Sequence, residues 1–135
     1  AEEARQQLRM ADEYESVSDY VADLDKFDRK LRRDGHRFTP EQREGLIKLN
    51  RHLAEYLASI NQALEQGNRG IVTKTESITK RIRDEINQLR RKHLEELSQG
   101  AMAPPVNIAY LATLNAYSRV RDHSRNIAEA ISGEK

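Results

Sequence analysis

Glu15 and Asp19 stand four residues apart in a stretch with helical spacing, so both carboxylates fall on one helix face. Asp12 and Asp23 extend the line, opposite Val17 and Val21 and therefore toward water. Carboxylates at this spacing repel one another mildly. A divalent cation between them reverses the sign, because hard cations take oxygen ligands. Two carboxylates from one helix make an incomplete site, and a second cluster from another helix is needed to close it. A plain solvated face is the simpler expectation for the same pattern.

The four histidines are His36, His52, His93 and His123. None has Glu three residues before it, which argues against the paired Glu-x-x-His ligands of di-iron bundles. There is no His-Glu-x-x-His zinc helix and no phosphate-cradling glycine loop; Gly67-Asn68-Arg69-Gly70 is too short to form one. With no cysteine, disulfides, thiolate metal sites and thiolate nucleophiles are excluded. No nucleophile, base and acid stand together, so the chain is not expected to be an enzyme. His93 falls on an apolar seam and is expected to be a core or boundary histidine with a polar partner.

The elements that must position these groups are helices. Met10, Tyr14, Val17, Val21, Leu24, Phe27 and Leu31 recur every three or four residues. Leu46, Leu49, Leu53, Leu57, Ile60 and Leu64 do the same, as do Ile71, Thr75, Ile78, Ile82, Ile86, Leu89, His93 and Leu97. Val106, Tyr110, Leu114, Tyr117, Val120, Ala128 and Ile131 keep to one side of a fourth segment. No stretch alternates long enough to make a strand. Asp34-Gly35 suits a left-handed helix end, and Thr39-Pro40-Glu41-Gln42 reads as a capped start. Gly67 to Gly70 and Gly100 are further breaks, and Pro104-Pro105 opens the last helix.

This spacing predicts an all-α chain of four helices, roughly 30, 26, 28 and 27 residues long. Short connections make neighbours antiparallel, so the expected packing is a single-domain up-down-up-down bundle. The composition agrees. Charged residues make up 33% of the 135 residues, and aromatics 5% with no Trp. One apolar stripe per helix leaves a broad charged face. The balance of 23 Lys and Arg against 22 Asp and Glu does not indicate a nucleic-acid binder. The charge is unevenly placed: residues 1–28 hold nine acidic and three basic side chains, residues 69–93 eight basic and three acidic. Two solvated faces that balance one another is the simple reading, and a surface for a partner or anionic ligand the functional one. The longest apolar run, Ile108 to Ala112, is far short of the about 20 residues of a membrane span. Helix-favouring sequence begins at Ala1 with no capping residue, which predicts a fragment of a longer protein.

The fourth helix carries the most specific pattern. Its run from Tyr117 to Glu129, YSRVRDHSRNIAE, resembles the signature helix of PhoU-like domains, whose pattern is close to E-R-I-x-D-H-x-x-N-I-A-E. Arg119, Asp122, His123, Asn126, Ile127, Ala128 and Glu129 match it. The stretch from Arg90 to Gly100, with Arg90, His93, Leu94 and Gly100, looks like the family's approach to that helix. Glu15 and Asp19 form an E-x-x-x-D of the family kind, whereas Ser118 stands where the signature has its leading Glu and leaves Asp122 alone.

The resemblance implies a bundle of long helices acting in phosphate homeostasis. It also implies metal, divalent or iron-type, at surface carboxylates, with Glu15, Asp19 and Asp122 the candidates here. One copy of the unit plus a leading helix is less than the tandem repeats of free-standing regulators. It suits the cytoplasmic domain of a bacterial sodium/phosphate cotransporter, on the inner face of the inner membrane. The partner is then the membrane portion of the same polypeptide. The alternative is a free-standing adaptor that contacts a phosphate-signalling sensor kinase or an ABC phosphate transporter. Neither reading involves nucleic acid, and both leave room for a homodimer.

Overall fold

Punctuation residues set the helix boundaries. The computed structural model describes residues 1–133, which form α1 (Glu2–Arg33), α2 (Pro40–Gln66), α3 (Ile71–Lys74), α4 (Glu76–Ser98) and α5 (Pro104–Ser132), with no strand among the described residues. Thr39 caps α2: its Oγ1 accepts from the Gln42 N–H at 3.1 Å, and Gln42 Oε1 accepts from the Thr39 N–H at 2.9 Å. This reciprocal pair satisfies two amides that a helix start leaves open. Pro40 follows where no amide is needed. α2 ends at Gly67 in the left-handed region, φ +64°, and the Asn68 N–H then donates to the Ala63 carbonyl at 2.9 Å. α1 ends in the same manner at Gly35, with the His36 N–H on the Leu31 carbonyl at 3.0 Å.

The third expected helix is divided. α3 stops at Lys74 and α4 begins at Glu76, with Thr75 between them at φ −102° and ψ 7°. The buried Thr75 hydroxyl donates to the Ile71 carbonyl at 2.7 Å. A threonine that bonds back to the preceding turn bends a helix. The ladder still runs across the bend, from the Thr75 N–H to Ile71 and from the Thr79 N–H to Thr75, both at 3.0 Å. The result is a kink and not a loop.

α5 lies at the centre. Its backbone approaches α1, α2, α3 and α4, whereas α1 approaches α5 alone. Side-chain partners give the directions. Arg9 meets Glu129 and Glu13 meets His123, so α1 and α5 are antiparallel. Thr79 meets Arg121 and His93 meets Asn107, so α4 and α5 are antiparallel. Lys92 meets Glu41 and His52 meets Glu85, so α2 and α4 are too. Leu49, Ile60, Ile82, Leu114 and Ile127 are fully enclosed in the core.

Two apolar stripes differ from expectation. In α2 the buried line runs Leu46, Leu49, Leu53, Tyr56, Ile60 and Ala63. Tyr56 and Ala63 occupy the seam that aliphatic counting gives to Leu57 and Leu64, and Leu64 is exposed. In α1, Val21 is exposed because a helix docked on a single neighbour buries only a narrow arc. Val17 and Leu31 are buried, and Tyr14, Leu24 and Phe27 are half-buried.

Candidate functional site

Three side chains of the α5 signature run, His123, Asn126 and Glu129, reach across to α1. His123 Nδ1 lies 2.6 Å from Glu13 Oε2 on α1, and the Asn126 side-chain amide donates to the same oxygen at 3.2 Å. A carboxylate accepts, so His123 carries its hydrogen on Nδ1 in this pairing. The Tyr20 ring stacks on the imidazole, with centroids 5.7 Å apart and planes 19° from parallel. One carboxylate thus holds two α5 side chains while a tyrosine fixes the ring. Glu129, one helical turn beyond Arg125, lies 3.5 Å from Arg125 and 3.7 Å from Arg9.

Glu13 escapes a search for motifs because its partners are more than a hundred residues away. Its signal is periodic: Glu13, Val17, Tyr20 and Leu24 follow helical spacing, which puts an acid on an apolar stripe. An acid there needs a polar partner from the facing helix.

Arg121 works on the other side of α5. Its Nε donates to the Thr79 carbonyl at 2.9 Å, at the second turn after the Thr75 kink, and its Nη1 lies 3.3 Å from Asp122. Burial lowers the Arg121 pKa, and the neighbouring Asp122 opposes that. Further along the bundle, His93 is 2% exposed, with Nε2 2.7 Å from Asn107 Oδ1 and its ring against Tyr110 at 4.7 Å. This is the core histidine with a polar partner that the seam position predicts, although its Nδ1 has no partner among the described residues. Burial pushes Tyr110 up to about 12, helped by the nearby Glu96 charge, and burial alone pushes Tyr117 up to about 12.

The three carboxylates expected at a metal site are placed differently from one another. Glu15 and Asp19 are exposed on α1, as their spacing predicts, and Asp12 with them. Asp122 is on α5 beside Arg121. Among the described residues, no group of three or more His, Cys, Asp or Glu is arranged to hold a metal ion. The acid that α1 does bring to the signature run is Glu13.

A second polar region lies between α2 and α4. An open groove of about 420 Å³ is lined by Lys48, His52, Lys80, Arg81, Asp84 and Glu85, among others. His52 Nδ1 and Glu85 Oε1, 2.8 Å apart, pair across it. Deeper down, Gly45 lets the two helices close up: a Cβ there would stand 2.8 Å from Leu89 Cδ2. No protein-family model matches the chain, and no curated protein or solved structure matches it either.

Proposed function

We propose that the chain is a PhoU-like regulatory domain, with α3 and α4 together serving as the third helix of a four-helix up-down-up-down bundle. In this reading it is the soluble, cytoplasmic part of a sodium-dependent phosphate cotransporter and acts in phosphate uptake and homeostasis. The observation that supports it is the α5 run from Arg119 to Glu129. Three of its polar members tie α5 to α1: His123 and Asn126 to Glu13, and Glu129 to Arg9. A pattern used in this way suits the signature of a scaffold that works by contact. Among the described residues no helix is long and apolar enough to cross a membrane, so the reading puts the transport path in another part of the polypeptide.

A docked domain alters transport only by contacting two transport states with different free energies. The exposed faces of α1 and α4 are the surfaces for those contacts. The test is deletion of this segment from the full-length protein. Membrane insertion should survive, and sodium-dependent phosphate uptake or its response to phosphate supply should change. A full-length gene that encodes no membrane span overturns the transporter reading and leaves the free-standing adaptor.

A further inference from the structure

The acidic and basic helices do not neutralise one another within one molecule, because the α1 backbone approaches only α5. At 100° per residue, Leu8, Asp12, Glu15 and Asp19 fall within an arc of about 60° on α1. All four are exposed, Leu8 at 68%. None of the three carboxylates pairs with a cation among the described residues. The strip is about 17 Å long at 1.5 Å per residue.

The opposite charge lies on α2 and α4. Arg43, Lys48 and Arg51 line an open groove on α2 around Ile47, which is 60% exposed. Lys48 also lines the α2/α4 groove, where Lys80 and Arg81 stand on the far wall. These five cations are exposed and form no ion pair among the described residues. The carboxylates interleaved with them are Glu44, which is exposed and has no cation partner among the described residues, Asp84, which lies 3.6 Å from Arg83, and Glu85, which is held by His52. Arg43 to Arg51 covers about 12 Å of α2, and the α4 cations carry the surface further along the groove. Each surface therefore has a row of free charge in which one sign prevails, and one exposed aliphatic side chain.

We propose that the α2/α4 groove is the docking site for the acidic strip of α1 from a second copy of this chain. Asp12, Glu15 and Asp19 of one copy meet Arg43, Lys48, Arg51, Lys80 and Arg81 of the next, and Leu8 meets Ile47. The two patches differ, so the contact is heterologous: each pair keeps one free strip and one free groove, and assembly propagates as an open chain or closes as a ring. This surface stands independently of the phosphate reading.

Sedimentation at millimolar protein reads it directly. At about 0.01 M salt, where charges act over about 30 Å, the mean mass should rise above twice the monomer's. At about 1 M salt, where they act over about 3 Å, it should return to 15.6 kDa. Glu15→Lys/Asp19→Lys reverses the strip and Lys48→Glu/Arg51→Glu reverses the groove, and each variant alone should remain monomeric with unchanged helical circular dichroism. Mixed, they should associate again, because one supplies the intact groove and the other the intact strip. A wild-type chain that stays monomeric at low salt overturns the proposal. So does a dimer that both reversals leave intact. Salt-sensitive binding to vesicles of phosphatidylglycerol by a monomeric wild-type chain, lost in the Lys48→Glu/Arg51→Glu variant, assigns the groove to a lipid surface instead.

Discussion

α1 and α5 are nearly equal in length, at 32 and 29 residues, and lie antiparallel against each other. They are built on different physical terms. α5 buries eleven residues and touches every other helix. Its buried set mixes Ala116, Ala128 and Ala130 with Tyr110, Tyr117 and Leu114, so close backbone approach alternates with wide packing. α1 buries Val17 and Leu31, and its backbone approaches one helix. Much of its attachment is polar: Glu13 to His123 and Asn126, Tyr14 to Asn61, and Arg9 to Glu129. The same helical period can therefore make a central pillar or a lateral strut, and the number of sides that bury apolar area decides which.

The comparison breaks most readily at Leu114. Leu114→Ala empties an enclosed site on α5 and should cost about 2–5 kcal/mol. Val17→Ala on α1 should cost about 1.5 kcal/mol, from roughly two methylene equivalents. Urea denaturation followed by circular dichroism measures both, and equal losses would show that α1 is as central as α5.

Alkaline titration sharpens the contrast next. Tyr110 and Tyr117 are both on α5, and burial pushes each up to about 12. The unfolded chain releases their protons near pH 10, while the fold retains them. Their contribution is thus complete below pH 10 and is lost as pH rises toward 12. Tyrosinate absorbance should lag behind that of the denatured chain over this window. Tyr110→Phe/Tyr117→Phe should flatten the fall in stability.

The polar seam is the third place to press. Glu13→Ala leaves His123 and Asn126 short of a shared acceptor and should cost about 1–3 kcal/mol. Glu13→Gln should recover part of this by keeping an acceptor oxygen. Amide exchange should quicken along α1 before it quickens in α5, since α1 has the fewer buried contacts. Uniform loss of protection in both helices would contradict the division.

The smallest effect is expected at the exposed acids of α1. Glu15→Ala/Asp19→Ala should shift stability by less than about 0.5 kcal/mol, because it removes only a mild like-charge contact. In calorimetric titration with manganese, iron or zinc, the wild-type chain should bind weakly, since Ser118 stands where a further carboxylate would complete the pair with Asp122. Tight binding that survives Glu15→Ala/Asp19→Ala would place the metal elsewhere.

Features written within a few neighbouring residues were legible in the sequence. The Thr39–Gln42 box, the left-handed ends at Gly35 and Gly67 and the proline start at Pro104 all formed where their local chemistry predicts. Features that depend on choosing among neighbours were not. Thr75 is an ordinary stripe position until its hydroxyl takes the Ile71 carbonyl. Tyr56 and Ala63 displace Leu57 and Leu64 because helical phase, and not side-chain apolarity, selects the seam. In the candidate site, the helix carrying His123 and Asn126 was identifiable, whereas their acceptor was not. Glu13 lies 110 residues from His123, and only the fold brings them together.

The α1/α5 pairing also has a consequence in time. Between Arg33 and Pro104 the ribosome must add 70 residues. At about 5–20 residues per second, that takes roughly 4–14 s. Throughout this interval α1 lacks the helix it packs against, because α5 is the one helix its backbone approaches. Loop closure over such a stretch costs entropy that only the finished contact repays. α1 should therefore dock last, after α2, α4 and α5 have condensed. Substitutions in the Glu13–His123 seam should then accelerate unfolding and leave the refolding rate nearly unchanged.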